Sequence, residues 1–218
     1  DTGARHDGKN GYCTHIGNEL FAWYQSTDSK SRINFLELLR AGNLDYVINE
    51  DALEYMNNQH LAKSIIQLLK DHPQKQFADL TQWQSHLEER QIVNHRHIKI
   101  ATEGALIGSV LHHGLPKSLV IVSDDAGQFN ILIHALCWMH AERTLNKLVA
   151  SNEEKHKILE DVRKQVWDFY DELKAYKVSP DETRKIQLEG KFKEIFTQKT
   201  DYQMLNLALG RLYENKTD

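Results

Sequence analysis

The sequence has few of the features that mark a disulfide-rich, membrane-spanning or disordered protein. Its two cysteines, Cys13 and Cys137, are too few for a disulfide framework and favour a reducing, cytoplasmic setting. No apolar run approaches the roughly 20 residues that cross a bilayer, and no signal peptide is visible at the start. Only three prolines and eleven glycines are present, which favours long helices. We therefore expect a cytoplasmic protein with no membrane partner.

Neither sign of charge is in large excess. The 27 Lys and Arg residues face 31 Asp and Glu residues, so the net charge is −4 with histidine neutral. A free-standing DNA-binding domain usually carries a basic excess. Any binding of nucleic acid must therefore depend on a local basic patch or on parts of the protein outside this chain. An apolar fraction of 40% with 27% charged residues excludes a disordered chain.

The first third of the chain predicts a hairpin, a helix and then a helical region. Alternation before Gly17-Asn18 and an aromatic run after it predict a β-hairpin over residues 9–27. Residues 26–29 offer N-caps for a helix that Gly42 would end. From about 44 to 113 the apolar spacing is mostly helical. Leu61, Ile65, Leu68 and Leu69 form one apolar stripe, and Trp83 and Leu87 belong to a second, short helix. A third helix is predicted from Ala105, Leu106, Ser109 and Val110 and ends at 112–114.

A strand at residues 119–123 is the clearest in the sequence. Its β-branched run carries no charge on either face, which predicts a strand covered on both sides in the middle of a sheet. A second short apolar run follows at 131–133. Beyond residue 141 the pattern is helical almost to the end, with one long amphipathic helix at about 158–176 and a break at 178–181.

These elements predict an α/β fold with large helical additions. We expect a first core part at 1–43, a mainly helical insert at 44–113, a second core part at 114–143 and a helical region at 144–218. The length fits one large domain, or one domain with a big insertion.

Two local patterns could bind a metal ion. Asp124 and Asp125 end the apolar strand, where a carboxylate suits Mg²⁺ or Mn²⁺; the alternative is a polar strand end leading into a turn. Cys137 and His140 could form half of a zinc site, but no second pair has suitable spacing, so a packed strand-to-helix corner is the competing interpretation. No glycine-rich phosphate loop and no G-x-S-x-G motif occurs.

Basic residues at 30–32 and 90–97 could contact phosphates, or could simply form solvated faces. Lys30 and Arg32 are the candidates in the first of these segments.

Two motifs together resemble a known family. Residues 122–129 read VSDDAGQF, and residues 137–143 read CWMHAER. Their combination resembles the DDE transposases of bacterial insertion sequences, in particular insertion-sequence family sixty-six. The opening Asp1-Thr2 is similar to that family's D-[DE]-T motif, and residues 27–32 fit the helix after its third strand. The resemblance implies a ribonuclease-H-like mixed sheet with large helical insertions.

The resemblance also implies a site and a reaction. Asp124 matches the second catalytic, metal-binding carboxylate, while Asp1 is either the first carboxylate or its neighbour. Cys137, His140 and Arg143 match the family motif, and Lys30 and Arg32 are possible DNA contacts. Such an enzyme holds two Mg²⁺ or Mn²⁺ ions, cleaves DNA at element ends and joins them to a target. The implied setting is the nucleoid of a bacterial cytoplasm, with the active enzyme a homo-oligomer.

The third carboxylate of the family is not found in the sequence. It normally follows an N-N-x-x-E motif after a helical insertion, which here would place it past Asp218. The first residues read like the middle of a strand, so we expect a catalytic-core fragment that is inactive by itself. Two alternatives remain open: a catalytically inactive nucleic-acid-binding or scaffolding module with a ribonuclease-H-like fold, and a nuclease of the same fold.

Overall fold

An antiparallel three-stranded sheet opens the fold in the computed structural model, which describes residues 2–215. Its strands are β1 (Thr2–His6), β2 (Lys9–Gly17) and β3 (Ala22–Thr27), in that order. β2 pairs with β3 so that Ile16 lies opposite Trp23. The hairpin predicted over 9–27 is therefore confirmed. β1 is joined to β2 by Asp7-Gly8, both at positive φ (49° and 76°), which matches the preference of tight hairpin turns for Asp-Gly.

The first helix, α1 (Arg32–Leu39), begins later than the predicted caps. Its N-cap is Ser31, whose hydroxyl oxygen accepts a hydrogen bond from the Asn34 amide at 3.1 Å. Beyond the helix, Ala41 and Gly42 take positive φ values of 52° and 89°. Gly42 thus lies at the stop that the sequence predicts, since glycine adopts this conformation without strain.

The predicted helical region contains four helices: α2 (Glu50–Asn58), α3 (Lys63–Asp71), α4 (Leu80–Glu89) and α5 (His95–His112). Two short strands, β4 (Tyr46–Val47) and β5 (Gln76–Phe77), pair antiparallel between them. The sequence analysis missed these strands because two residues are too few to show a period.

Helix α5 lies at the centre of this part of the fold, with every residue from Ile100 to Val110 buried. Gly108 allows α5 to lie close to the backbone of β4, because a Cβ at this position would lie 2.1 Å from the Val47 carbonyl oxygen. Trp83 on α4 is fully buried and stacks on Tyr46, with ring centroids 5.7 Å apart. Because Trp83 and Leu87 both lie within α4, the helix predicted around them is confirmed.

Strand β6 (Val120–Ser123) corrects the prediction of a buried central strand. Among the described residues it pairs only with β7 (Ile133–Leu136), and Val120 and Val122 are 53% and 65% exposed. Within residues 2–215 the strands form three separate sheets of three, two and two strands. The prediction was wrong because a β-branched run indicates extended backbone but does not indicate which elements cover the two faces of the strand. The broader α/β assignment is confirmed.

The remaining helices are α6 (Trp138–Asn146), α7 (Glu153–Val178), α8 (Glu182–Thr197) and α9 (Gln203–Glu214). The long amphipathic helix is confirmed as α7, which buries Leu159, Val162, Val166 and Phe169. Asn152 and Asp181 cap α7 and α8 by accepting backbone N–H bonds. The break before Asp181 lies where the sequence predicts it.

The chain divides into two compact units. The first runs to Leu119 and includes Ala126–Ile133; the second consists of Val120–Asp125 and the residues from His134 onwards. The second unit has its own apolar core, formed by α6 to α9. Within residues 2–215, no helix has both the length and the apolar character of a membrane span.

Candidate functional site

Asp124 is the first residue after β6. Its side chain is half-buried, whereas the neighbouring Asp125 is exposed. The strand therefore gives the two carboxylates different surroundings, and the half-buried one is the one that matches the family motif. A half-buried carboxylate at a strand end is a suitable oxygen donor for a hard divalent cation.

Hydrogen bonds join the end of β6 to β7 and to the start of α6. The Cys137 amide donates to the Ser123 carbonyl oxygen at 2.6 Å. The Ser123 hydroxyl donates to the Asp124 carbonyl oxygen at 2.8 Å, and the His134 Nε2 atom lies 2.8 Å from that hydroxyl oxygen. The segment with Asp124 and the segment with Cys137 thus meet in the second unit.

Helix α6 carries the other residues of the motif. Cys137 is its N-cap residue and a half-buried free thiol, while His140 and Arg143 are exposed. Trp138 stacks on Tyr170 of α7, with ring centroids 5.5 Å apart. These positions agree with a packed strand-to-helix corner.

A buried ion pair fixes α6 to α7. Glu142 is 6% exposed, and one of its carboxylate oxygens accepts from the Nε atom of Arg163 at 2.8 Å and from Nη2 at 2.5 Å. Burial of Glu142 is therefore matched by charge-assisted hydrogen bonds. The same pairing raises the pKa of Arg163 above its ordinary value, because the Glu142 and Glu160 carboxylates accept its hydrogen bonds.

The described residues supply donors for a metal ion but not a complete metal site. No group of three or more His, Cys, Asp or Glu side chains within residues 2–215 is arranged to hold an ion. Asp124 has the right donor chemistry for Mg²⁺ or Mn²⁺. The pattern of Cys137 and His140 finds no second pair of ligands in the same part of the chain, so nothing there favours zinc. Asp1, the other predicted metal ligand, lies outside the described residues.

The two possible DNA contacts differ in their surroundings. Lys30 is exposed, and its Nζ atom lies 5.3 Å from the centre of the Tyr12 ring. The Arg32 side chain is only 18% exposed, and its guanidinium donates to the Tyr55 hydroxyl at 2.8 Å and to the Gly127 carbonyl oxygen. Lys30 is therefore free to meet a phosphate, whereas Arg32 holds parts of the first unit together.

Arg32 belongs to a buried polar network that the sequence did not reveal. The Tyr55 hydroxyl donates to Glu103 at 2.6 Å, and Glu103 is 2% exposed. Arg32 lies 3.8 Å from the same carboxylate. Burial and the hydrogen bond to Glu103 raise the pKa of Tyr55. The phenol therefore stays protonated and remains a donor.

Ser123 and His134 were not predicted as members of the candidate site. Ser123 lies within the first motif and His134 between the two motifs, but their contact is made between two four-residue strands. Pairing between strands this short has no signature in a single sequence. The local signal is limited to one polar residue in each apolar run, Ser123 in the first and His134 in the second.

Comparison with known proteins gives one informative match. The chain is 37% identical over 220 residues to the uncharacterized protein y4jO of Sinorhizobium fredii (strain NBRC 101917 / NGR234), and the match covers 100% of this chain and 68% of that protein. The chain therefore belongs to the same protein family as y4jO. No family model matches it. No solved structure matches it either.

Proposed function

We propose that this chain is the catalytic-core part of a DDE transposase, which cleaves DNA at the ends of a mobile element and joins those ends to a target. Asp124 is the second of its three metal-binding carboxylates. The observation that carries the proposal is the hydrogen bond from the Cys137 amide to the Ser123 carbonyl oxygen. It brings together the two motifs that resemble this enzyme family.

The position of Asp124 supports the proposed role. A carboxylate that ligates a cation in DNA cleavage must be held by a rigid backbone and remain reachable by a large substrate. Asp124 follows a paired strand and is half-buried. Divalent ions held in part by Asp124 would supply activation of the attacking hydroxyl and stabilisation of the leaving oxygen. This chain's own contribution is one oriented carboxylate, with Asp1 or its neighbour as a second.

The proposal includes a ribonuclease-H-like core. In that arrangement the strand before Asp124 belongs to one mixed sheet with the strands of the N-terminal hairpin. The described hydrogen bonds instead place β1 to β3 and β6 in separate sheets. The finer fold thus depends on the resemblance, and the helices α7 to α9 take the place of the insertion that precedes the third carboxylate.

The proposed partner is DNA, and the active form is a homo-oligomer in the bacterial cytoplasm. With a net charge of −4, the chain requires local contacts for DNA binding. Lys30, in the loop before α1, and Arg143, on α6, are exposed cations. Both suit phosphate contacts, which position DNA without reading its sequence.

Transposition in cells tests the proposed function. The whole protein that contains this chain is supplied to bacteria carrying a marked element with its native ends. Asp124→Asn is expected to reduce transposition to background, because an amide cannot replace a charged metal ligand. Asp125→Asn is the matched control and keeps activity. Transposition by the Asp124→Asn protein, folded as judged by circular dichroism, removes Asp124 from the catalytic site.

A catalytically inactive nucleic-acid-binding or scaffolding module is the second candidate. The exposure of β6 and the incomplete set of metal ligands within residues 2–215 favour it. In that case the whole wild-type protein binds DNA but gives neither cleavage nor strand joining with Mg²⁺ or Mn²⁺. Cleavage without joining would instead indicate a nuclease.

A further inference from the structure

We infer that His134 is a positioning residue for Asp124, acting through the Ser123 hydroxyl to fix the backbone on which the Asp124 carboxylate stands. The inference deepens the proposed function. It rests on that function for the reason why Asp124 has to be held in place. The hydrogen bonds that carry it belong entirely to the second unit.

The direction of each hydrogen bond follows from the chemistry of the atoms. A carbonyl oxygen only accepts, so the single hydroxyl hydrogen of Ser123 is directed to the Asp124 carbonyl oxygen at 2.8 Å. The His134 Nε2 atom, 2.8 Å from the same hydroxyl oxygen, must then be the donor. This assigns the hydrogen of the imidazole to Nε2.

The other nitrogen of the ring agrees with this assignment. The Nδ1 atom of His134 is buried and has no hydrogen-bond partner among the described residues. A hydrogen on Nδ1 would be a buried donor without an acceptor, which is costly. A ring with a hydrogen on Nε2 and none on Nδ1 therefore fits the surroundings of both nitrogens.

The same directions exclude a serine nucleophile. A nucleophilic serine gives its hydroxyl hydrogen to the imidazole, which acts as its base. Here Ser123 directs that hydrogen to a carbonyl oxygen, and the imidazole donates instead. The pair is thus built to hold the backbone.

Both peptide groups that flank the Asp124 Cα atom are fixed by these contacts. The peptide group before it contains the Ser123 carbonyl oxygen, which accepts from the Cys137 amide at 2.6 Å. The peptide group after it contains the Asp124 carbonyl oxygen, which accepts from the Ser123 hydroxyl. Holding both planes restricts φ and ψ of Asp124, and so sets the direction of its side chain although the strand itself has ended.

Amide substitutions at His134 test the positioning directly. In glutamine the amide nitrogen is three bonds from Cβ, like Nε2 of histidine, whereas in asparagine it is two bonds away, like Nδ1. His134→Gln can therefore still donate to Ser123, and His134→Asn cannot. The backbone NMR signals of Asp124 and Asp125 in the 218-residue chain, without metal, are expected to stay unchanged in His134→Gln and to shift or broaden in His134→Asn.

A double-variant cycle tests whether Ser123 transmits the effect. Ser123→Ala is expected to reproduce the changes of His134→Asn, and the two together are expected to add nothing further. Equal spectra for His134→Gln and His134→Asn, or additive effects of the two single changes, overturn the inference. A merely destabilising change would alter signals throughout the unit and would not discriminate between the two amides.

Titration with Mn²⁺ alone separates this inference from the proposed function. Groups bonded to a metal ligand are typically worth about 10–100-fold in affinity, and His134 acts on Asp124 only through Ser123 and the backbone, so we expect the low end of that range. The Mn²⁺ concentration that half-broadens the Asp124 signal is expected to rise about 10-fold in His134→Asn and to change little in His134→Gln. If Asp124→Asn leaves Mn²⁺ broadening as in the wild type, the proposed metal function fails, while the metal-free spectra still decide the role of His134.

Discussion

His86 is expected to make the stability of the first unit depend on pH. The residue is 4% exposed, its Nε2 atom has no hydrogen-bond partner among the described residues, and its ring lies 4.4 Å from that of Phe77. Burial, with smaller contributions from the nearby charges of His72 and Arg90, lowers the pKa of His86 to about 4. An unperturbed histidine has a pKa of about 6.5. At pH values between these two, the unfolded chain therefore binds a proton at His86 that the folded chain does not bind.

The sign and size of the effect follow from that difference in pKa. Because the folded state binds fewer protons between pH 6.5 and about 4, the stability supplied by neutral His86 is complete above pH 6.5 and is lost as the pH falls towards 4. Each pKa unit corresponds to about 1.4 kcal/mol, so the full loss is about 3 kcal/mol. Between pH 7 and pH 5 the loss is about 2 kcal/mol.

Replacing His86 with phenylalanine isolates this contribution. Urea denaturation followed by circular dichroism gives the free energy of unfolding at pH 7 and pH 5. The wild type is expected to lose about 2 kcal/mol more than His86→Phe between these values. His86→Leu serves as a second variant in case the larger ring does not fit, and exposed His95→Gln is the matched control. The reasoning is refuted if wild type and both His86 variants change equally with pH.

Two further substitutions test packing in the same unit. Gly108→Ala is expected to lower the free energy of unfolding by about 3 kcal/mol, because its Cβ would lie 2.1 Å from a carbonyl oxygen. Gly190→Ala, at a position with open space around it, is the control, and equal melting temperatures of the two variants would contradict this expectation. Arg32→Ala is expected to cost about 1–3 kcal/mol in urea denaturation, because it removes a cation 3.8 Å from the buried Glu103 carboxylate, which keeps the hydrogen bond from Tyr55. Adding Glu103→Gln should recover much of that loss, and a double variant no more stable than Arg32→Ala would argue against the charge as the cause.

Periodic elements were predictable from the sequence because their signal repeats over many residues. Helix α7 shows its apolar spacing over about five turns, and the hairpin of β2 and β3 combines alternation with a Gly-Asn turn. In the helix the pattern also indicates the buried face, whereas β3 of the hairpin is almost entirely exposed. The buried residues of α7 include Val162, Val166 and Phe169, whose spacing of three and four places them on one helical face.

The surroundings of β6 could not be predicted in the same way. An apolar β-branched run favours a strand, but its burial depends on which elements arrive from elsewhere in the chain. Val120 and Val122 look buried in the sequence and are exposed in the fold. The contact between Ser123 and His134 could not be predicted for the same reason. The two residues are 11 positions apart in the sequence, and the pairing of β6 with β7 brings them together.

The four tryptophans are shared equally between the two units. Trp23 and Trp83 belong to the first unit, and Trp138 and Trp167 to the second. Trp83 is fully buried and Trp23 is exposed, so even within the first unit the two indoles report on different environments. Incorporation of fluorotryptophan would thus give four ¹⁹F resonances, two from each half of the molecule. Melting of one half before the other would then be visible in a single spectrum.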